Sequence, residues 1–363
     1  MTSGPIIIMA GGTGGHIFPG LAVADELRKA KCPVVWLGTQ RGLEARIVPE
    51  RGIDIEWITI RGLRGRGLRA WVTTPLQMLA AIFQVSRVFR RLRPSAVLGL
   101  GGFVSAPGGV AAWLTRKPLI IHEQNAVAGT ANRLLAPLAR QVFSAFPDAF
   151  SRRTRCTVIG NPVRADIAAV PKPEIRFAQR ADPRLRVLVI GGSQGARILN
   201  QTVPAALAGL PQASRPQVRH QAGKELETAQ YAYTQAGVEA TVEAFIDDMA
   251  EAYAWADLVI ARAGALTVAE LEAVGVAAIL VPYPYAIDNH QTRNAEHFAA
   301  HGAGVVIADS ELSPERLAAA IETLGNDRNA LLKMAQTARA QAQVDAAKTL
   351  AQACLAARIG GAA

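Results

Sequence analysis

The chain has 363 residues, 50% of them apolar, and 39 Lys and Arg oppose 29 Asp and Glu for a formal net charge of +10. That length exceeds what one hydrophobic core usually organises, so two domains of about 150–200 residues are expected. The apolar content excludes a mostly disordered chain.

The charge is unevenly placed: residues 1–163 hold 21 Lys and Arg against 8 acids, and the remainder holds 18 against 21. A basic domain beside a near-neutral one suits nucleic acid, anionic lipid or a diphosphate-bearing substrate, and charge alone does not choose among them. The first apolar run, PIIIMA at 5–10, is too short for a signal segment and has no basic leader. No stretch approaches 18 uncharged apolar residues, so no spanning helix is expected. Cys32, Cys156 and Cys354 are too scattered for a metal site and read as free thiols of a reducing compartment.

In chain order, a short apolar strand at 6–10 is followed by GGTGGH (11–16), a helical pattern from about Gly20 to Lys31, and a second strand at 34–38. Strand, Gly-rich loop, helix and strand open an α/β unit with a parallel sheet. Further strands are expected at 55–60, 96–100, 119–121, 141–144 and 157–159. Gly160–Asn161–Pro162, then Pro171 and Pro173, mark a domain junction. The pattern then restarts with a strand at 185–190, GGSQGA (191–196) and a helix over 197–209. Strands follow near 218–221, 240–242, 258–260, 278–281 and 304–307, with helices at 265–273, 291–300, 314–323 and 327–337. Two Gly-rich loops 180 residues apart, each after an apolar strand, predict two tandem Rossmann-like domains, 1–163 and 164–340. An Ala-rich helix within 341–363 completes the chain.

Neither loop supports a nucleotide hydrolase, because neither ends in Gly-Lys-[Ser/Thr], and the dinucleotide spacing G-x-G-x-x-G is also unmet. Glycines at a strand end still let amides approach a phosphate at a helix N-terminus, or they merely make a tight turn. His16 sits just past the first loop, as a catalytic or diphosphate-binding group or as a structural donor. His122 and Glu123 end an apolar strand ahead of Asn125, lining a site or closing a strand-end network. GGFVS (101–105) is a third Gly-rich turn. Glu270, on the helix after ARAGALTVAE (261–270), suits the two hydroxyls of a ribose or is a helix-start charge. Asn289, His290 and Gln291 stand together at a helix start, suited to sugar hydroxyls or to capping. From Arg51 to Arg93 there are nine Arg and two acids. There the cationic run with Arg64, Arg66 and Arg69 precedes Trp71 and an aliphatic helix, as a membrane-surface patch or a solvated loop beside a core helix.

Together these motifs resemble one family, the bacterial glycosyltransferases that add N-acetylglucosamine to undecaprenyl-pyrophosphoryl-N-acetylmuramyl-pentapeptide (lipid I) to complete lipid II of peptidoglycan. GGTGGHIFPGLAVA (11–24), GGFVSAPGGVAA (101–112), HEQNAVAGTANR (122–133), GNPVR (160–164), GGSQGAR (191–197), RAGALTVAE (262–270) and DNHQTRNA (288–295) occur in the family's order. The resemblance implies the α/β GT-B fold, two tandem Rossmann-like domains with a cleft between them, and inverting transfer without a bound metal or other cofactor. It implies that Ile246 meets uracil through its backbone and Glu270 the ribose. Ser193, Arg164 and the turn Ala265, Leu266, Thr267, Val268 and Ala269 would surround the nucleotide and its phosphates. Gln291 and Asn125 would hold the sugar, with Thr13, Gly14 and Gly15 completing that surface. His290 stands where some members have Gln.

Gly102, Phe103, Arg64, Arg66, Arg69 and Trp71 would serve the acceptor or membrane side. The C-terminal helix would cross back onto the N-terminal domain. The partners implied are UDP-N-acetylglucosamine, lipid I, an anionic membrane surface, and cell-wall synthesis and division proteins, with no nucleic acid. The expected location is peripheral, on the cytoplasmic face of the bacterial inner membrane. Direct displacement needs one proton acceptor for the attacking hydroxyl. His16 is favoured because an unperturbed imidazole titrates near neutrality, and Glu123 is the rival. A nucleotide-sugar epimerase and a non-catalytic lipid- or nucleic-acid-binding scaffold are the competing classes.

Overall fold

The computed structural model describes residues 4–60, 69–192, 195–286 and 289–359, without the side chains of 69–74 and 359. Contacts divide the chain into two compact units, Met1–Arg164 with Gln343–Ala363, and Ala165–Ala342.

The first unit alternates strand and helix: β1 (Ile6–Met9), α1 (Gly14–Lys29), β2 (Val34–Gly38), α2 (Glu44–Glu50), β3 (Asp54–Trp57), α3 (Arg69–Leu92), β4 (Ala96–Gly99), α4 (Ser105–Leu114), β5 (Leu119–Glu123), α5 (Thr130–Leu135), β6 (Gln141–Ser144) and β7 (Thr157–Val158). They form one parallel sheet in the order β3-β2-β1-β4-β5-β6-β7, with Ile8 registered between Trp36 and Leu98. Every residue of β1 and β4 is buried, as continuous apolar runs covered by helices on both faces should be, and so is every residue of β5, which ends in the polar pair His122 and Glu123. One face packs Ile6, Ile8, Trp36 and Leu98 against α1; the other packs Ile7, Met9, Val97 and Ile121 against Val85 and Phe89 of α3.

The second unit runs α6 (Ala165–Ala168), α7 (Pro173–Ala178), β8 (Arg186–Ile190), α8 (Arg197–Ala208), β9 (Gln217–Gln221), α9 (Leu226–Ala236), β10 (Thr241–Glu243), α10 (Met249–Trp255), β11 (Leu258–Ala261), α11 (Ala265–Val274), β12 (Ala277–Leu280), α12 (His290–Ala300), β13 (Gly304–Val306), α13 (Pro314–Gly325) and α14 (Arg328–Gln341). Its parallel sheet has the order β10-β9-β8-β11-β12-β13. The last helix, α15 (Ala346–Ile359), joins the first unit, where Leu350 and Cys354 are fully buried in the same core as Leu27 and Trp36.

Two expectations about boundaries change. Helix α1 begins at Gly14 rather than near Gly20, so His16 lies in its first turn. Gly20 then falls inside the helix, where a Cβ would stand 2.5 Å from the Trp36 ring. Strand β3 stops at Trp57, although the Ile58 N–H still donates to the Gly38 carbonyl of β2 at 2.9 Å; Ile58 and Ile60 are buried in the same cluster as Ala81, Val85 and Phe89 of α3.

Candidate active site

At the centre of the first sheet, β1 and β4 are neighbours whose onward connections lead to opposite edges. Such a reversal opens a crevice at the carboxyl ends of the two strands. Two glycine loops meet there. Gly12 (φ +95°) follows β1, and Gly101 (φ +97°) and Gly102 (φ +77°) follow β4, all in a region L side chains rarely enter. A Cβ on Gly102 would lie 2.5 Å from the Gly11 carbonyl oxygen, and one on Gly12 would lie 3.1 Å from the Phe103 ring.

Buried side chains pin both loops. Glu44 Oε2 accepts the Gly12 N–H at 3.0 Å, while its Oε1 accepts the Thr39 N–H at 3.1 Å and hydroxyl at 2.9 Å. The Ser105 hydroxyl donates to the Gly101 carbonyl at 2.7 Å and accepts its N–H at 3.1 Å.

Thr13 is the N-cap of α1 and makes no side-chain cap bond. The Gly14 and Gly15 amides lie in the first turn, where a helix lacks internal acceptors and favours negative charge. His16 is in the same turn, its amide donating to the Thr13 carbonyl at 3.1 Å. Its ring packs on Gly101, where a Cβ would fall 2.9 Å from Cε1. His16 Nδ1 stands 3.0 Å from Gln124 Oε1, and Nε2 has no hydrogen-bond partner among the described residues.

The two candidate proton acceptors differ sharply in their surroundings. Glu123 is 2% exposed. Its Oε1 accepts from Asn125 N at 2.9 Å and Nδ2 at 3.1 Å, and its Oε2 from Gly129 N at 3.0 Å and Asn132 Nδ2 at 2.8 Å. Four donors occupy that carboxylate and fold the 124–132 connection around it. His122 is fully buried, and burial lowers its pKa to about 4. Arg164 belongs to this unit, not to the second, and its guanidinium lies 5.7 Å from the Phe18 ring centre.

The second sheet has the same reversal, between β8 and β11. Gly192 and Gly195 of the loop after β8 both have φ +79°, and a Cβ on Gly195 would lie 2.2 Å from the Ala222 carbonyl oxygen. Gln221 ties this loop to Ile246: its Nε2 donates to the Gly192 carbonyl at 3.2 Å and its Oε1 accepts the Ile246 N–H at 3.1 Å. The Ile246 amide is therefore committed, which leaves the carbonyl as its backbone group for a base.

After β11, the turn 262–264 delivers the first-turn residues Ala265, Leu266 and Thr267 of α11, and Val268 N–H returns to the Gly264 carbonyl at 3.0 Å. Asn294 holds this turn through the Ala263 carbonyl at 3.1 Å. Arg262 pairs with Asp309, donates to the Val281 and Pro282 carbonyls at 3.1 Å and stacks on Tyr283. Glu270, 9% exposed, accepts the Tyr253 hydroxyl at 3.0 Å. Ala269 is buried beside it on α11. Gln291, in the first turn of α12, accepts the Tyr283 N–H on Oε1 at 2.9 Å.

Ser193, Arg64 and Arg66 lie outside the described residues, as do the side chains of Arg69 and Trp71. Beyond that stretch, Leu76, Leu79 and Phe83 of α3 are 65%, 63% and 57% exposed. At spacings of three and four they form one stripe. Trp113 and Leu114, at the end of the packed neighbour α4, are more than half exposed too.

Sequence reasoning missed Glu44, Gln124, Gln221 and Asn294. Gln124 and Asn294 fall inside motifs already singled out. Glu44 and Gln221 are lone polar residues with no local signature, and only tertiary structure reveals their burial.

The glycosyltransferase family 28 N-terminal domain matches residues 6–144, and the family 28 C-terminal domain matches residues 186–350. The UDP-N-acetylglucosamine–N-acetylmuramyl-(pentapeptide) pyrophosphoryl-undecaprenol N-acetylglucosamine transferase of Alkalilimnicola ehrlichii is 58% identical over 352 residues, covering 97% of this chain and 98% of that protein. The protein of the same name from Nitrosococcus oceani is 56% identical over 351 residues, covering 96% and 98%. The crystal structure of Acinetobacter baumannii MurG superposes with a TM-score of 0.82 at 40% identity, covering 97% of this chain and 99% of that one. The UDP-GlcNAc 2-epimerase of Neisseria meningitidis, with its UDP-GlcNAc, reaches a TM-score of 0.66 at 12% identity over 97% and 99%. That likeness extends to the fold alone.

Proposed function

The chain belongs to glycosyltransferase family 28, and from that membership we infer that it transfers N-acetylglucosamine from UDP-N-acetylglucosamine to lipid I, giving lipid II for peptidoglycan. The observation that carries this function is the 58% identity across 97% of the chain to a transferase of that name. The two parallel α/β units constitute its GT-B fold.

The site assignments are those the family resemblance implies, and the hydrogen bonds described above are compatible with them. In the second unit, the Ile246 carbonyl faces the uracil N3–H and Glu270, oriented by Tyr253, binds the ribose hydroxyls. The α11 N-terminus receives the diphosphate. Gln291 spends its oxygen on Tyr283 and so offers its NH2 to the sugar. The acceptor C4 oxygen attacks C1 as the C1–O bond to UDP breaks, its electron pair leaving on the β-phosphate oxygen, and the α linkage becomes β. The hydroxyl proton passes to His16 Nε2, whose lack of a partner among the described residues supports the choice over the saturated Glu123. Amides and side chains of the protein, not a metal ion, stabilise the departing diphosphate in this scheme.

The acceptor enters on the first unit, beside Gly102 and Phe103, and the lipid surface meets the α3 stripe. The exposed Leu76, Leu79, Phe83, Trp113 and Leu114 support this docking face. So does an adjoining cavity of about 670 Å³ lined by Arg93, Trp113, Arg116, Lys117 and Arg140, which suits anionic headgroups. Among the described residues no helix is long and apolar enough to cross a membrane. From the resemblance to that family we place the protein peripherally on the cytoplasmic face of the inner membrane, within reach of cell-wall synthesis and division proteins.

The test is transfer of labelled N-acetylglucosamine from its UDP donor to a short-chain lipid I analogue in EDTA. A labelled β-linked disaccharide-lipid is expected. Donor binding without that product would overturn the acceptor assignment, and product only after metal is restored would overturn the metal-free scheme.

A further inference from the structure

Three motifs far apart in sequence are joined in the first unit by one line of hydrogen bonds. The Gly160 carbonyl oxygen lies 2.9 Å from His122 Nε2, His122 Nδ1 lies 3.1 Å from Gln124 Nε2, and Gln124 Oε1 lies 3.0 Å from His16 Nδ1. Gln124 Nε2 also donates to the His122 carbonyl at 3.1 Å, and Asn161 Nδ2 donates to the Gln124 carbonyl at 3.0 Å. His122 and Gln124 are essentially buried, at 0% and 1% exposure, so water does not substitute for these partners.

The direction of each bond follows from the end that has no choice. A carbonyl only accepts, so His122 Nε2 carries a hydrogen toward Gly160. Burial keeps the His122 ring neutral at physiological pH, its pKa lowered to about 4, so its Nδ1 is a lone pair. That lone pair and the His122 carbonyl are both acceptors, and both face the Gln124 amide nitrogen. Reversing the Gln124 side chain would set its oxygen against two acceptors. Its oxygen therefore points to His16, and because that oxygen only accepts, His16 Nδ1 carries the proton. A neutral imidazole protonated on Nδ1 has its lone pair on Nε2.

We propose that Gln124 is a positioning residue for the transfer reaction, locking His16 as the Nδ1–H tautomer so that its Nε2 lone pair is ready for the C4 hydroxyl proton. The proposal rests on the assignment of His16 as proton acceptor. When Nε2 takes the proton, the ring becomes imidazolium and its Nδ1–H bond to Gln124 becomes charge-assisted, hence stronger. No proton crosses the amide, and His122 stays neutral. Only a side chain with an acceptor at one end and a donor at the other satisfies both neighbours, which explains a glutamine where a carboxylate would face two acceptors.

The experiment pairs kinetics with the tautomer itself. Long-range 1H–15N correlation on histidine-labelled wild-type enzyme, with His16 assigned from its missing signals in His16→Ala, should show His16 protonated on Nδ1 when neutral. Gln124→Met, close in length but without the acceptor, should place Nε2–H in the tautomer mixture. It should lower kcat roughly 10- to 100-fold, by analogy with the loss of a partner that orients a metal-bound histidine, with KM for the UDP-sugar changed by about twofold or less, as for a group that acts on the chemical step. Wild-type His16 protonated on Nε2 would overturn the proposal without recourse to any Gln124 variant. Wild-type kcat in Gln124→Met beside a dead His16→Ala would overturn it while leaving the proton acceptor in place. Wild-type kcat in His16→Ala would remove the acceptor assignment and this proposal together.

Discussion

Glu44 Oε2 accepts the Gly12 N–H at 3.0 Å across 32 residues of sequence, so a buried carboxylate on α2 shapes the loop that precedes His16. With Oε1 committed to both donors of Thr39, neither oxygen tolerates exchange for a donor. Glu44→Gln must turn an NH2 toward Gly12 or Thr39. We expect a loss of about 1–3 kcal/mol in denaturant unfolding and a fall in kcat/KM larger than the lost folded fraction explains. A variant of unchanged kcat/KM would mean that the loop keeps its shape without the carboxylate.

His16 and Glu123 should separate cleanly when each is replaced. His16→Ala removes a proton acceptor and should cost about 10²- to 10⁴-fold in kcat per folded molecule, beyond any stability lost when Gln124 Oε1 is left without its partner. Glu123→Gln sets an NH2 against amide donors and should cost about 1–3 kcal/mol of stability, with a much smaller drop in kcat per folded molecule. Parallel melting curves and single-turnover transfer distinguish the two patterns. The reverse pattern would make Glu123 the proton acceptor.

The strands were legible because a parallel strand covered on both faces must be apolar throughout, and β1, β4, β8, β11 and β12 are buried or nearly so along their whole lengths. The loops were legible as well, since positive φ at Gly12, Gly101, Gly102 and Gly192 demands the residue that announces them. The start of α1 was not legible: Gly14, Gly15 and Pro19 all argue locally against a helix, and packing of Gly20 under Trp36 outweighs them. The contrast between the surroundings of His16 and Glu123 was equally hidden. It depends on which lone pairs are already taken, and donors from Gly129 and Asn132 decide that only after the chain has folded.

The α3 stripe predicts a membrane phenotype separable from catalysis. Leu79→Glu and Phe83→Glu alter exposed side chains whose helix is held by Ala81, Val85 and Phe89 on its other face. Each should weaken binding to anionic vesicles by about tenfold, the equivalent of one apolar side chain returned to water. Transfer to a soluble short-chain acceptor should persist. Sedimentation with phosphatidylglycerol vesicles measures the effect, and unchanged sedimentation of the double variant would move the docking face elsewhere.

Two buried histidines make the fold acid-sensitive. Burial lowers the pKa of both His122 and His220 from 6.5 to about 4. His220 is held between Asn200 Oδ1 at 3.0 Å and the Tyr233 hydroxyl at 2.9 Å. Below pH 6.5 the unfolded chain takes up protons that the folded one refuses until about pH 4, so stability falls as pH falls through that window. Each site contributes on the order of 3 kcal/mol to the loss. Urea midpoints between pH 4 and 7 should rise with pH, with a smaller slope in His220→Gln; an unchanged slope would show that His220 is not the group protonated.

Arg176 presents the largest single stability prediction, because one buried guanidinium serves four carbonyls. Its Nε donates to Pro171 at 3.1 Å and its Nη1 to Tyr253 at 3.2 Å; its Nη2 reaches Val274 at 3.3 Å and also Gly275. The cation thus joins α7 to the C-terminal end of α11, where the helix dipole favours positive charge. Burial lowers its pKa to about 10, so the group stays charged at neutral pH. Arg176→Met keeps much of the volume but strands these acceptors, and should cost more than about 3 kcal/mol. Arg176→Lys restores charge without the planar fork, since an ammonium cannot reach carbonyls arranged around a guanidinium, and should recover only part of that loss. Denaturant unfolding at pH 7 should therefore rank wild type above Lys and Lys above Met. Equal stability of Lys and wild type would mean that charge at the helix end, not the fork, holds α7 in place.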